Sequence, residues 1–396
     1  MALPNGQGPV LGRSRGERGF APLRKVVMNS AQGPVFYIHI GVPKTATTTI
    51  QSFFTMHRDA LLQRGVLYPK SIANSDGHSE LHRALSVALE PDSVPWLDGL
   101  RKHMENRNVI ASLLEEVART EAKTVVLSAE SLAFMRRPET LRRALAPYSA
   151  RILVYLRRQD NFLASFYNQL IKSRLYTATF EEFLQQHANN AIDLREFCTP
   201  LPMCDYERLL KLWADAFGSE NILAGVYEDY DLPAGLLCDF AAKTRIDISG
   251  LAMPGADTNP ALQLSVLPLK RRVNNLLSGE EERIHAELMF TACSSRRNAM
   301  TPSSDDVARN MARRLALLAA YRGGNDRVAR DYFDGRPSLF REPDERDSLL
   351  PDANEMEWQG PYRDAAVRVI AELVASGSQS VSPSAIPIPE NAATKD

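Results

Sequence analysis

The chain lacks any apolar run near the roughly eighteen residues that a membrane-crossing helix needs, so no transmembrane segment is expected. Residues 1–27 also lack a long apolar core, so no secretory signal or membrane anchor is expected there. Cysteine is scarce. The chain has 396 residues and only 4 cysteines, Cys198, Cys204, Cys238 and Cys293, without metal-ligand spacing. Buried thiols are therefore expected rather than a disulfide framework or a zinc site. An excess of either charge is missing too: 47 basic and 48 acidic side chains leave a net charge of −1. That argues against a general nucleic-acid binder and confines any positive patch to a local cluster. The signature GxxxxGK[ST] is absent, which counts against an ordinary nucleotide-hydrolysing loop. What remains is a cytoplasmic enzyme or binding protein.

Hydrophobic residues make up 44% of the chain and charged ones 24%, as in globular domains. Residues 1–32, rich in Gly, Pro and Arg, read as a disordered lead, and 376–396 as a disordered tail, leaving 33–375 as one domain. Four short apolar runs read as strands buried on both faces: Phe36–Ile40, Thr124–Ser128, Arg151–Leu156 and Ile222–Tyr227. Helical spacing is read over 161–187, over 206–217 with Gly218 as its stop, and over Leu262–Leu277 and Val307–Tyr321. The alternation predicts an α/β fold, a parallel sheet flanked by helices, with a mostly helical C-terminal part. That part would either pack on the sheet or form an acceptor-side lid.

The stretch with most chemical content is Val35–Gln51, VFYIHIGVPKTATTTIQ. A strand breaks at Gly41 and Pro43, passes Lys44, Thr45, Ala46, Thr47, Thr48 and Thr49, and enters a helix. The first amides of a helix lack internal partners and its dipole is positive there, so a lysine and hydroxyls at that point form a cradle for phosphate or sulfate. The same threonines also fit an ordinary capped helix start. The strand Arg151–Leu156 ends in Arg157 and Arg158, where a nucleotide hydrolase would carry a metal-binding Asp. A second anion site, rather than a magnesium ion, is the expectation.

The chain resembles the PAPS-dependent sulfotransferases, in a divergent bacterial or carbohydrate-directed branch. PKTATTT is similar to the family's 5′-phosphosulfate loop, and YLRRQDNFLASFYNQ to its 3′-phosphate segment, with Arg157 and Ser165 at the expected separation. FGSENILAGVYEDY, with Tyr227 and Glu228, is similar to a later strand ending in YED. The resemblance spans about residues 35–242 and implies a P-loop-type sheet. It also implies PAPS as donor, no metal, and a small-molecule or glycan acceptor. Lys44 would neutralise charge on the leaving phosphate. Thr45, Thr47, Thr48 and the loop amides would hold the 5′-phosphate, and Arg157 with Ser165 the 3′-phosphate. Ala46 stands where the family usually has Gly, and Thr49 where cytosolic members carry a Trp that stacks on adenine.

A base must take the acceptor's proton. Glu130, after the strand TVVLS, is the first candidate, since α/β sheets place ligands at the C-terminal ends of strands. His78, in GHSELH, is the second and His82 the third. Each also has a plainer reading, as a paired carboxylate or a surface histidine. His39, inside the first strand, reads as a core residue, Tyr206 as helix packing, and Lys270-Arg271-Arg272 and Arg296-Arg297 as solvated faces. A P-loop kinase and a non-catalytic binder of PAPS or bisphosphate remain the alternatives.

Overall fold

The structure, a computed structural model, describes residues 33–73, 77–78, 81, 109–173, 176–188, 204–230, 234–255, 261–277, 279, 282, 285–288, 290, 303–351 and 371. The lead 1–32, the tail 376–396, His82, Cys198, Cys293 and Arg296-Arg297 lie outside the described residues.

Five strands, β1 (Val35–Ile40), β2 (Val66–Leu67), β3 (Thr124–Ala129), β4 (Ala150–Leu156) and β5 (Ile222–Val226), form one parallel sheet in the order β2-β3-β1-β4-β5. Ile40 of β1 pairs with Ala129 of β3, His39 with Leu153 of β4, and Leu156 with Val226 of β5. All strands therefore end on one edge. The chain leaving the central β1 emerges between Glu130, just past β3, and Arg157, just past β4.

Side chains alternate across the sheet. Phe36, Ile38, Val125, Leu127, Ile152 and Val154 point to one face. They meet Leu113 of α3 (Val109–Ala118), Leu141 of α4 (Pro138–Ala144), Phe162 of α5 (Gln159–Ser173) and Trp213 of α7 (Tyr206–Phe217). Tyr37, Val126, Leu153 and Tyr155 point to the other face, toward Ile50 and Phe53 of α1 (Thr47–Met56), Leu61 of α2 (Arg58–Gln63) and Phe240 of α8 (Ala234–Thr244). Covering both faces buries every strand, which is why the strands read as continuous apolar runs.

Some expectations are corrected. The span 161–187 holds two helices, α5 and α6 (Phe180–Ala188), with 176–179 non-helical between them. Thr179 starts α6: its hydroxyl accepts from the Glu182 amide at 3.2 Å, and the Glu182 carboxylate accepts from the Thr179 amide at 2.7 Å. This capping box halts any helix arriving from α5. Tyr227 opens a turn instead of ending β5. In the C-terminal part, α9 (Leu267–Asn274) is shorter than expected, and α10 (Ser304–Ala319) is followed by α11 (Arg322–Tyr332). Lys270 is fully buried, with its ammonium on Asn274, so that run is not wholly solvated. Of the described cysteines, Cys204 is a buried thiol but Cys238 is exposed.

Candidate active site

The loop between β1 and α1 is tightly wound. A Cβ on Gly41 would stand 2.5 Å from the Thr47 hydroxyl oxygen and 3.3 Å from the Glu130 Cα, so only glycine fits where three segments converge. Lys44 (φ 64°) and Ala46 (φ 58°) adopt left-handed backbone, which costs a residue with a Cβ about 1–2 kcal/mol. The glycine usual at the Ala46 position would take that conformation without strain. Ala46 is also the N-cap of α1, and no side chain caps the helix. The threonine cluster is thus not an ordinary cap: the Thr49 amide donates to the Ala46 carbonyl at 3.0 Å, and among the described residues no side chain caps the amides of Thr47 and Thr48.

The threonines divide. Thr45 is buried and its hydroxyl donates to the Val42 carbonyl at 2.6 Å, bracing the turn instead of facing a ligand. Thr47 is buried beside Glu130, and its hydroxyl makes no hydrogen bond of proper geometry among the described residues. Thr48 is exposed and Thr49 half-buried.

Arg157 reaches this loop. Its Nη1 donates to the Lys44 carbonyl at 2.7 Å, joining residues 113 positions apart in sequence. Its guanidinium lies 5.0 Å from the centre of the Tyr227 ring, its Nε stands 3.8 Å from the Glu228 carboxylate, and that Nε makes no hydrogen bond. The Tyr206 hydroxyl donates to the Arg157 carbonyl at 2.5 Å, so Tyr206 does more than pack. Arg158 serves a different purpose. It is 1% exposed and bound to Asp160 at 2.7 Å and Asp347 at 2.8 Å. Of the two arginines after β4, Arg157 is therefore the one that reaches the loop, while Arg158 is internal structure.

Ser165 lies on α5 midway between Asn161, which donates to Glu228 at 3.2 Å, and Gln169, whose side-chain oxygen stands 3.5 Å from the Lys44 ammonium. Residues four apart share a helix face, so Ser165 is on the face turned to the loop. Gln169 was missed by sequence reasoning. Its signal was present in the helix-face spacing of Asn161, Ser165 and Gln169, each four residues apart.

The base candidates separate clearly. Glu130 opens the turn after β3, half-buried. Burial pushes its carboxyl above the usual carboxylate range, while the Lys44 charge and the adjacent Thr47 hydroxyl pull it partway back. His78 is fully buried. Its Nδ1 accepts from the Ser128 amide at 3.0 Å and its Nε2 donates to the Pro69 carbonyl at 2.9 Å. Burial lowers its pKa to about 4. With both nitrogens engaged, His78 pins its loop to β3 and has no lone pair to offer an acceptor. His39 is a core residue, its Nδ1 2.8 Å from the Ser128 hydroxyl.

Among the described residues, no group of three or more His, Cys, Asp and Glu side chains could hold a metal ion, and no helix is long and apolar enough to cross a membrane. No family model matches the chain. An uncharacterized protein of Archaeoglobus fulgidus is 25% identical over 186 residues, and the match spans 46% of each chain, about half of that relative's length. A solved sulfotransferase structure from Alicyclobacillus acidocaldarius aligns with 16% identity and a TM-score of 0.40, covering 61% of this chain and 93% of that one. The functional reading rests on the chain's own residues.

Proposed function

We propose that the chain is a sulfotransferase that uses PAPS and acts on a hydroxyl of a carbohydrate or other hydroxylated small molecule. The observation that carries this reading is the 2.7 Å contact between Arg157 and the Lys44 carbonyl, which brings two anion-binding motifs into one site. At each motif one donor makes no hydrogen bond of good geometry among the described residues and faces a carboxylate: the Thr47 hydroxyl beside Glu130, and Arg157 Nε 3.8 Å from Glu228. A donor bearing phosphates at both ends of a nucleoside fits that arrangement, and when bound it supplies the sulfuryl group.

The residues then have distinct tasks. Lys44, steered by Gln169, balances the charge that grows on the leaving phosphate. The amides after Ala46, with the hydroxyls of Thr47 and Thr48, hold the 5′-phosphate, and Thr49 faces the nucleoside side. Arg157 and Ser165 hold the 3′-phosphate through charge-assisted hydrogen bonds. Glu130 takes the proton from the acceptor hydroxyl as it attacks in line. Catalysis is mainly positioning and charge stabilisation, and the scheme asks for no metal. A cytoplasmic setting belongs to the same proposal.

The test is a titration with adenosine 3′,5′-bisphosphate and, separately, ATP with Mg²⁺, followed by transfer assays from labelled PAPS to a panel of glycans and phenols. Bisphosphate binding with label transfer is expected. Tight ATP binding with none for the bisphosphate points to a kinase and overturns the reading. Bisphosphate binding without transfer to any acceptor leaves a binding protein.

A further inference from the structure

The carboxylate of Glu228 occupies the turn between β4 and α5 from the neighbouring strand. Leu156 pairs with Val226, so two residues further on Glu228 comes level with Arg158. Its two oxygens accept from the Arg158 amide at 3.1 and 3.2 Å, and one accepts from Asn161 at 3.2 Å. Arg157 Nε lies 3.8 Å away. The Arg157 guanidinium is thus enclosed by a carboxylate, the Tyr227 ring and the Lys44 carbonyl. An arginine free to rotate would lose considerable rotamer entropy on gripping an anion, and this enclosure removes that loss before the ligand arrives.

We propose that Glu228 is a positioning residue of the nucleotide site: it holds Arg157 against the Lys44 carbonyl and fixes the turn that presents it. This rests on the reading above, in which Arg157 binds the 3′-phosphate. Glu228 acts through Arg157 and does not touch the reacting atoms, so its loss should weaken nucleotide binding and leave the chemical step largely intact.

The experiment is calorimetric titration of the full chain and of Glu228→Gln, Glu228→Asp, Arg157→Ala and the Glu228→Gln/Arg157→Ala double variant with adenosine 3′,5′-bisphosphate. kcat, the donor KM and melting temperatures are measured alongside. Losing a hydrogen-bonded charge at this position should raise Kd and donor KM about tenfold in Glu228→Gln, with kcat at saturation changed less than about threefold. Glu228→Asp, which restores the charge on a shorter arm, should recover part of the affinity. In the Arg157→Ala background the Gln substitution should cost nothing more, because the group it acts through is gone. Wild-type affinity in Glu228→Gln overturns the proposal, and so does tighter binding, which would mark the carboxylate as a competitor of the phosphate. Fully additive losses, or a kcat that falls as far as the affinity together with a lowered melting temperature, overturn it in favour of a purely structural role. If the unaltered protein fails to bind the bisphosphate, the functional reading falls and the positioning role falls with it. Normal wild-type binding with unaffected variants removes the positioning role alone.

Discussion

At the scale of single residues, Glu130 is in tension. Burial favours its protonated form, whereas a base must be ionised to accept a proton. The acid limb of the kcat/KM profile should therefore lie above the usual carboxylate range. Glu130→Gln should lower kcat by about 10²–10⁴-fold, the usual contribution of a positioned base. The same variant should melt at a higher temperature. A carboxyl with a raised folded pKa binds more protons native than unfolded, so its ionisation costs stability as pH rises through that window, and a neutral amide avoids the cost. A kcat within threefold of wild type, or an acid limb at ordinary carboxylate values, would remove Glu130 from the role. Ala46 carries the loop's other tension. Ala46→Gly should relieve the left-handed strain and stabilise the fold by about 0.5–1 kcal/mol after the entropy of the unfolded chain is counted, read from urea unfolding. Destabilisation by that amount would show that the loop is not strained there. The residue types at this site were legible because lysine, threonine and arginine at strand ends carry their chemistry wherever they point. Their orientation was not: nothing in TATTT tells that Thr45 turns inward while Thr47 comes to lie against Glu130, since that depends on backbone twist and on Glu130 arriving from another strand.

At the scale of elements, the turn from β4 into α5 is tied to the C-terminal helices by buried charge. Asp160 lies between Arg158 and Arg314 of α10, Arg158 continues to Asp347, and all four side chains are at most 4% exposed. Gln159 and Asn325 exchange hydrogen bonds at 2.7 and 3.1 Å, and Arg336 holds Asp229 at 2.6 Å. The described C-terminal helices thus buttress the Arg157 side of the site, which favours packing over an acceptor-side lid. A buried carboxylate serving two arginines is costly to lose, because both charges are left stranded. Asp160→Asn should destabilise the fold by about 3–5 kcal/mol in urea unfolding. A loss below about 1 kcal/mol would mean water reaches the network. Four of the five strands were readable from apolar runs, β2 with its two residues was not, and α7 was readable from its spacing and Gly218, whose left-handed backbone (φ 91°) ends it. This network was not readable. Arg158 reads in sequence as part of an anion site and Asp160, Arg314 and Asp347 as ordinary surface charges, and only tertiary contact separates a solvated arginine from a buried one.

At the scale of the whole molecule, two buried histidines, His39 in β1 and His78 in the loop pinned to β3, couple folding to pH. Burial lowers His39 to about 3 and His78 to about 4, both from an ordinary 6.5. A group whose folded pKa is depressed refuses protons that the unfolded chain accepts. Stability is therefore lost as pH falls from about 6.5 toward 4, and for His39 toward 3. Glu130 and Glu228, raised by burial, act in the opposite sense, losing stability as pH rises through their folded values. The net slope is thus a difference, and a single variant isolates one contribution to it. His39→Leu keeps the apolar contacts with Tyr155 and Phe240 and removes the titration. It leaves the Ser128 hydroxyl without its partner, a cost that does not change with pH. The informative quantity is therefore the slope of unfolding free energy against pH, not its absolute value. Between pH 4.5 and 6 that slope should fall by about 1.4 kcal/mol per pH unit relative to the unaltered chain, the value for one proton. An unchanged slope would show that the imidazole of His39 titrates normally in the folded protein, and that water reaches the C-terminal end of β1.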